Sequence, residues 1–360
     1  MRSEDCGQSR PIFCRRDTAG KISDVSDFFL PAAIDWAIWG ALFTDVDRWR
    51  PVVDRVWATD DALAAASGIA KPHRVVSAFP GTCAVFIVDE AVIIKFFPPM
   101  VANDLKREVA AYLALGDRVP HLPLLLSHGR YQDRIEWPYL VVSCLPGQAW
   151  RGVSARLSAG QAEGLVAELG RMARLTHEIS LPPNGTWPAV GAWAVLVASR
   201  LAQVGDDLRR GTALQNGLIE EIESLLATTS WFDQRPCLLH SDLTEDHLLV
   251  AERDGEWFVT GLIDWADAEV GDPIYDWVAV WFSVCRRDPR LFGAFLSGYG
   301  ARESWDGNFL NRLMALTFLH RFGATIISDS LPPVEQRAIG TLEQLTKALF
   351  AGILLLDVEL

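Results

Sequence analysis

The sequence predicts an α+β protein in which a small antiparallel sheet precedes a larger, mainly helical region. Strand-like apolar runs separated by turn residues lie between residues 74 and 97, whereas apolar residues at helical spacing dominate after Gly147. The chain has 360 residues, 50% of them hydrophobic, which is enough for about two folded units. We therefore expect a domain boundary near Gly147.

The first 70 residues divide into two predicted segments. Residues 1–23 are polar and rich in turn formers, and we expect a flexible leader there. Residues 24–70 have apolar residues such as Trp49, Val53 and Val56 at helical spacing, and Ser67-Gly68 is a helix stop. We interpret this second segment as an N-terminal helical extension.

The next segment has the pattern of an antiparallel meander. Its predicted strands are Arg74–Ala78, Ala84–Val88, Ala91–Phe97 and, later, Tyr139–Leu145. Pro98-Pro99 ends the third strand, and a helix that reaches about Leu115 precedes the fourth. The sequence thus predicts a four-stranded sheet with one helix.

Helices dominate from Gly147 onward. Ser158 and Gln161 form a capping-box pattern ahead of an apolar stripe, and further helices are predicted at residues 310–327 and 333–350. One β-hairpin interrupts them, because Asp254-Gly255 separates two apolar runs. The second predicted unit is therefore helical with one hairpin.

Composition excludes several classes of protein. There are 33 basic and 46 acidic residues, and the net charge of −13 argues against a nucleic-acid partner or a polybasic membrane surface. No apolar run reaches the ~20 residues of a membrane span, and the first residues lack a secretory signal. Six cysteines without a Cys-x-x-Cys pair indicate reduced thiols. We expect a cytoplasmic protein.

Acidic residues concentrate in one short segment. Eleven of them, against one basic residue, lie between His240 and Asp276. The acids near Asp254 fit a solvated hairpin, but Asp242 and Asp264 each follow an apolar run that predicts the buried end of a strand. Such a density of carboxylates requires cations, a cationic ligand or water to screen it.

Lys95 is the opposite case, a cation inside an apolar strand. It is one of five lysines in the chain and lies in the run VIIKFF at residues 92–97. An unpaired ammonium is costly to bury, so Lys95 either reaches water or has an anionic partner. Glu108 on the following helix, or a phosphate group, would supply that partner.

Together these residues follow the order of the parts of a kinase: strand lysine, helix glutamate, loop aspartate and metal-binding groups. The loop is HSDLTEDHLLV at residues 240–250, and the metal segment is LIDWAD at residues 262–267. The pattern resembles the aminoglycoside phosphotransferase family, whose usual loop is HGDLHPxN and whose usual metal motif is IDW or IDF. Within that family, the residues IKFF at 94–97 and TFLH at 317–320 are most similar to hygromycin B 7″-O-phosphotransferases.

The resemblance implies a protein-kinase-like, two-lobed fold. Residues 71–147 would be the nucleotide-binding N-lobe, and residues 148–360 the helical C-lobe with the catalytic loop and the acceptor site. In the N-lobe, Lys95 would contact the nucleotide phosphates with Glu108 as its ion pair. Thr82 would lie in the turn above the phosphates, and Ser143 and Leu145 would offer backbone groups to the base.

The resemblance also implies roles in the C-lobe. Asp242 would be the base or orient the attacking hydroxyl, and Asp264 and His247 would bind Mg²⁺. His247 departs from the family pattern, which has Asn at this position. An imidazole ligand should admit Mn²⁺ more readily than an amide oxygen does. The alternative is that His247 binds no metal and only forms a hydrogen bond within the loop. The remaining implied roles are loop support for His240 and Asp272, and acceptor contacts for Asp267, Glu269 and Asp276.

The predicted function is ATP- or GTP-dependent phosphorylation of a hydroxyl group on a small antibiotic, first of all an aminocyclitol such as hygromycin B. The low pI and the acidic segment favour a cationic acceptor. A kinase of macrolides, nucleoside antibiotics, sugars or choline-like amines remains open, as does a non-catalytic nucleotide-binding module. The pattern predicts no particular oligomeric state.

Overall fold

The computed structural model describes residues 60–68, 75–77, 81–132, 136–181, 192–301 and 309–356. The predicted leader and most of the predicted helical extension lie outside these residues. The described part of the extension is helix α1 (Asp60–Ser67). It ends at Gly68, whose φ of 75° is readily adopted by glycine, so the predicted stop at Ser67-Gly68 is confirmed.

The described chain divides into two compact units. The first contains the residues up to Val109 together with Pro123–Leu145, and the second contains Ala110–Leu122 and the chain from Pro146 onward. The predicted domain limits and their roles, a nucleotide-binding N-lobe and an acceptor-binding C-lobe, stay predictions.

The first unit is built on one antiparallel sheet. Its strands are β1 (Val75–Ser77), β2 (Ala84–Val88), β3 (Val92–Phe96), β4 (Leu125–Gln132) and β5 (Glu136–Ser143), in the order β1-β2-β3-β5-β4. Helix α2 (Ala102–Leu115) follows β3. The predicted meander is present, but the prediction of four strands is wrong because it omits the edge strand β4. Polar and glycine residues from Ser127 to Gly129 follow the leucines of β4 and hide its strand pattern.

The second unit is mainly helical. Its helices are α3 (Trp150–Val153), α4 (Ala159–His177), α5 (Ala192–Gly211), α6 (Asn216–Thr228), α7 (Ile274–Ala279), α8 (Pro289–Tyr299), α9 (Phe309–Leu319), α10 (Gly323–Ser330), α11 (Pro333–Ala338) and α12 (Leu342–Leu356). Its strands are β6 (Gln148–Ala149), β7 (Cys237–Leu239), β8 (Leu248–Arg253), β9 (Glu256–Leu262) and β10 (Glu269–Gly271). The predicted α+β class is confirmed. No helix of the described residues is long and apolar enough to cross a membrane.

The hairpin of β8 and β9 forms where the sequence predicts it. Its turn residues, Asp254 and Gly255, have φ values of 56° and 85°. Positive φ at both positions is the signature of a type I′ turn, whose twist matches that of antiparallel strands. The turn therefore fixes the pairing from Arg253 and Glu256 to Val250 and Val259, beyond which a β-bulge shifts the register by one residue.

Helices α4 and α8 pack closely because glycines line their contact. A Cβ atom on Gly298 would lie 1.9 Å from the carbonyl oxygen of Ala167, and one on Gly170 would lie 2.1 Å from that of Phe295. Side chains at these two positions would force the helices apart. α4 itself begins with the predicted capping box, since the side chain of Ser158 accepts from the backbone N–H of Gln161.

We predict that Gly298→Ala destabilises the protein by about 1–3 kcal/mol, because the added methyl group overlaps backbone of α4. Gly293→Ala on the same helix is the matched control, since a Cβ there meets no atom within 4 Å. It should stabilise the helix by up to about 1 kcal/mol. Urea unfolding of both variants measures the difference, and equal effects would contradict the close packing.

Candidate active site

The β8–β9 hairpin brings the two predicted catalytic segments together. Leu248 pairs with Leu262, so the residues just beyond this pair lie side by side. The backbone N–H of Ile263 donates to the carbonyl of His247 over 3.0 Å. As a result, Nε2 of His247 lies 3.8 Å from Oδ2 of Asp264.

The hydrogen bonds of His247 fix its tautomer. Its Nδ1 lies 2.8 Å from the backbone carbonyl oxygen of Asp242, which can only accept, so Nδ1 carries a hydrogen and donates. In the neutral ring the lone pair then lies on Nε2, on the side of Asp264. Metal-binding histidines are commonly oriented in this way, by a hydrogen bond from the other ring nitrogen.

The donor set suits a divalent cation that is also bound by a phosphate. Two ligands at about 2.1 Å from one ion lie roughly 3 Å apart in octahedral geometry, so the 3.8 Å separation between His247 and Asp264 needs only a small shift. Among the described residues, no group of three or more His, Cys, Asp or Glu side chains forms a metal cage. Mg²⁺ is typically held by one or two protein groups, water and substrate phosphates.

Asp242 lies in the loop that follows β7, three residues after Leu239. Burial is the main cause that raises the pKa of its carboxyl group to about 6, and the charge of His247 opposes the rise. Its Oδ2 lies 3.5 Å from Nδ1 of His247. At neutral pH this carboxylate is mostly ionised and is a stronger base than an exposed aspartate.

His240 joins the loop of Asp242 to the loop of Asp264. Its ring is fully buried, and Nε2 donates to the carbonyl oxygen of Ile263 over 3.0 Å. Nδ1 accepts from the backbone N–H of Asp242 over 3.3 Å. Burial lowers the pKa of His240 to about 4, so the ring is neutral at physiological pH. The geometry suits the predicted role in loop support.

Asp276 is also a support of the loop, and the prediction that it contacts the acceptor is wrong. The residue is only 1% exposed. Its two oxygens accept from the backbone N–H groups of His240 at 2.9 Å and Ser241 at 2.7 Å, and Oδ2 also contacts Nε2 of His177 at 3.0 Å. Burial alone would raise the pKa of Asp276, but these hydrogen bonds and the nearby imidazoles hold it below its usual value.

Asp272 supports the loop only indirectly. Its carboxylate accepts from the backbone N–H of Ile274 over 2.9 Å and from the Arg312 guanidinium over 2.5 Å. It therefore fixes the start of α7, the helix that carries Asp276. Loop support by Asp272 stays a prediction, and the contacts of its carboxylate would provide that support through α7.

Asp267 and Glu269 lie near the guanidinium group of Arg321, which no sequence motif marks. Asp267 forms an ion pair with Arg321, whose guanidinium also lies over the ring of Phe322 at 5.3 Å. Glu269 begins β10 and pairs with Leu239, immediately before the catalytic loop. The charge of Arg321 lowers the pKa of Asp242. Acceptor contacts by Asp267 and Glu269 stay predictions.

Arginines also neutralise the acidic residues that follow Asp242 in the loop. Glu245 is buried and lies 2.7 Å from both Arg151 and Arg286, and Asp246 accepts from Arg151 over 2.6 and 2.7 Å. The hairpin acids near Asp254 are exposed, as expected. Most of the acidic segment therefore serves the loop scaffold or lies in solvent.

In the first unit, Lys95 has the partner that the sequence suggests. Its Nζ lies 3.0 Å from Oε2 of Glu108, and both side chains are almost completely buried. The register places Lys95 opposite Val85 on β2 and Leu140 on β5, in the middle of the sheet. A buried, oriented ammonium of this kind suits a phosphate ligand, and that role stays a prediction.

The other residues predicted to contact the nucleotide lie in or beside the sheet of the first unit. The N–H of Ser143 already donates to the carbonyl of Leu124 over 2.9 Å, and a contact of its backbone with a base stays a prediction. Leu145 follows at the end of the first unit and is half-buried. Thr82 lies in the turn before β2 and is half-buried.

Sequence reasoning missed His177 and Arg321. His177 belongs to no motif in the sequence, yet its side chain is 4% exposed and contacts both Asp276 and Tyr299. Its partners lie about a hundred positions away in sequence, so no local sequence pattern predicts these contacts.

We predict that Asp276→Asn destabilises the protein by about 3 kcal/mol, because the new amide N–H₂ would oppose a donor in a buried site. Glu252→Gln, an exposed change on the hairpin, is the control and should alter stability by less than about 0.5 kcal/mol. Thermal unfolding followed by calorimetry compares the two. A similar midpoint for both variants would contradict the anchoring role.

Solved structures share this fold at low sequence identity. A GDP and kanamycin complex of APH(2")-IIia is 18% identical, with 82% of this chain and 96% of that chain covered and a TM-score of 0.58. The gentamicin complex of APH(2")-IIa is 17% identical, with coverage of 79% and 96% and a TM-score of 0.56. ADP-bound aminoglycoside phosphotransferase APH(2'')-Ib is 17% identical, with coverage of 81% and 98% and a TM-score of 0.54.

The match to a curated relative covers a limited segment. Lysine-specific demethylase JMJ21 from Arabidopsis thaliana is 23% identical over 203 residues, which are 46% of this chain. The chain spans about a fifth of the length of that relative, 21%. The model of the APH family, described as "Phosphotransferase enzyme family", matches residues 83–307, which include Lys95, the catalytic loop and Asp264. The chain belongs to this phosphotransferase enzyme family.

Proposed function

We propose that this protein transfers the terminal phosphoryl group of a nucleoside triphosphate, ATP or GTP, to a hydroxyl group of a small-molecule antibiotic. The observation that carries the proposal is the geometry of the two joined loops. Asp242, with its raised pKa, lies 3.5 Å from His247, and His247 lies 3.8 Å from Asp264. A base and two ligands for a divalent cation are the groups that phosphoryl transfer requires.

In the proposed reaction the acceptor hydroxyl oxygen attacks the terminal phosphorus, and a nucleoside diphosphate leaves as the phosphorus–oxygen bond to it breaks. The hydroxyl proton passes to Asp242. His247 and Asp264 would hold a divalent cation, which when bound neutralises charge on the phosphates. Lys95, oriented by its ion pair with Glu108, would position the phosphates.

Aminoglycosides and aminocyclitols, hygromycin B among them, are the first acceptors that we propose. Proteins of the same fold bind gentamicin and kanamycin according to their structures. Asp267 and Glu269 are the carboxylates proposed to face an amino group of such an acceptor.

A neutral acceptor such as a macrolide is the second candidate. Asp267 is already paired with Arg321, which removes part of the negative charge that would attract a polycation. His247 in place of the usual asparagine also favours this candidate, since macrolide phosphotransferases resemble this chain in having histidine at that position.

We predict that a screen of purified protein with ATP or GTP, Mg²⁺ or Mn²⁺, and aminoglycosides, macrolides and nucleoside antibiotics gives a phosphorylated acceptor, detected by mass. Asp242→Asn should lower turnover by roughly 10²–10⁴-fold and leave nucleotide affinity nearly unchanged, because only proton transfer and alignment of the nucleophile are lost. Turnover equal to the wild type would remove Asp242 from the mechanism. Tight nucleotide binding without turnover of any acceptor would favour the non-catalytic module.

We also predict that His247→Asn changes the metal preference. An amide oxygen is a harder ligand than an imidazole nitrogen, so the ratio of Mg²⁺-supported to Mn²⁺-supported turnover should rise several-fold. His128→Asn, an exposed change on β4, is the control and should leave the ratio unchanged. An identical metal profile in the His247 variant would leave this residue only its hydrogen bond to the loop.

A further inference from the structure

A groove with several polar side chains lies in the second unit, where the ends of α4 and α8 meet the segment before β7. It has a volume of roughly 360 Å³ and is open to solvent. The groups that matter for its chemistry are Arg174, His177, Glu178, Arg235, Tyr299 and Gly300, all of which line it. We call it the α4–α8 groove.

The charges that line the groove favour an anion. Arg174 forms an ion pair with Glu178 at 2.7 Å, whereas Arg235 makes no ion pair or hydrogen bond with any described residue. Gly300 leaves room for the Arg174 guanidinium, because a Cβ there would lie 2.8 Å from Nη1. Two guanidinium groups against one carboxylate leave one net positive charge.

One further group that lines the groove, the Tyr299 hydroxyl, supplies a hydrogen bond. Burial raises the pKa of the Tyr299 hydroxyl above its ordinary value, so it remains a donor at neutral pH. Burial raises the pKa of the Cys237 thiol, so the one thiol lining the groove adds no negative charge. The groove therefore offers guanidinium N–H and phenol O–H donors to an acceptor.

A chain of hydrogen bonds leads from the groove to the catalytic loop. The Tyr299 hydroxyl lies 2.9 Å from Nδ1 of His177, and Nε2 of His177 lies 3.0 Å from Oδ2 of Asp276. Asp276 in turn accepts from the backbone N–H groups of His240 and Ser241. Every group in this chain is in direct contact with the next.

We infer that the α4–α8 groove binds a small anion, through a phosphate or carboxylate group, and that Tyr299 and His177 couple its occupancy to the catalytic loop. The bound anion accepts from Arg235, Arg174 and the Tyr299 hydroxyl. Because the hydroxyl has a single hydrogen, the anion competes with His177 for it. Its binding therefore loosens the support that His177 gives to Asp276, and linkage makes the effect reciprocal.

Titration calorimetry with inorganic phosphate and, separately, acetate tests the binding site, with ADP and Mg²⁺ present at high concentration to occupy a nucleotide site. We expect saturable binding of at least one anion, and the tighter of the two identifies the ligand group. Arg235→Gln should weaken it at least tenfold. Arg171→Gln, one turn before Arg174 and paired with Glu168 in solvent, is the control and should bind within twofold of the wild type. Absence of saturable binding, or equal affinities in the two variants, would overturn the site.

Amide hydrogen exchange at His240 and Ser241 tests the coupling. Saturating anion should speed exchange of these two amides several-fold in the wild type. Tyr299→Phe lacks the shared hydrogen, so its exchange rates should no longer respond to the anion, although Arg174 and Arg235 still bind it. Exchange that is unchanged by the anion in the wild type, or equally changed in Tyr299→Phe, would overturn the coupling and leave only a binding site.

Discussion

The catalytic loop depends on one buried carboxylate. Asp276 is nearly inaccessible to water, and its cost of burial is offset by donors from two consecutive backbone N–H groups and from His177. The two N–H groups belong to His240 and Ser241, the residues immediately before Asp242. Asp276, on α7 and more than thirty positions away in sequence, therefore orients Asp242 by fixing the backbone of the two residues before it.

The same anchor explains how strained backbone persists at the site. Ser241 has a φ of 65°, a conformation that favours glycine, and the family loop has glycine at this position. A hydrogen bond of 2.7 Å from its N–H to Asp276 holds it there. Asp264 also has positive φ, at 64°, directly after Ile263, whose N–H and carbonyl both bond to the first loop. Strain at one loop is thus supported by hydrogen bonds from the other.

The sequence predicted the parts of the fold that local chemistry dictates. The Asp254-Gly255 turn specifies the β8–β9 pairing as far as Val250 and Val259, and a β-bulge then shifts the register by one residue, so that Leu248 pairs with Leu262 and His247 lies beside Asp264. The capping box of α4, which joins residues three apart, and the Lys95–Glu108 pair, which joins a strand to the next α-helix, are likewise local. Edge strand β4 was missed because polar residues and a glycine interrupt it. The contacts of Asp276 and His177 were missed because they form only when α4, α7 and the loop are packed together.

Many carboxylates of the acidic segment stabilise the fold of the loop, and only some can take part in the proposed chemistry. Glu245, Asp246 and Asp267 pair with arginines, and Asp272 and Asp276 serve the start of α7 and the loop backbone. In the sequence, all five carboxylates contribute to the negative charge that would attract a cation. In the folded protein they are occupied by arginines and backbone N–H groups and no longer serve that purpose. In the proposed mechanism Asp242 serves as the base and Asp264 as a metal ligand, so neither is available to select a cationic acceptor. Selectivity for such an acceptor would therefore also depend on residues outside the acidic segment.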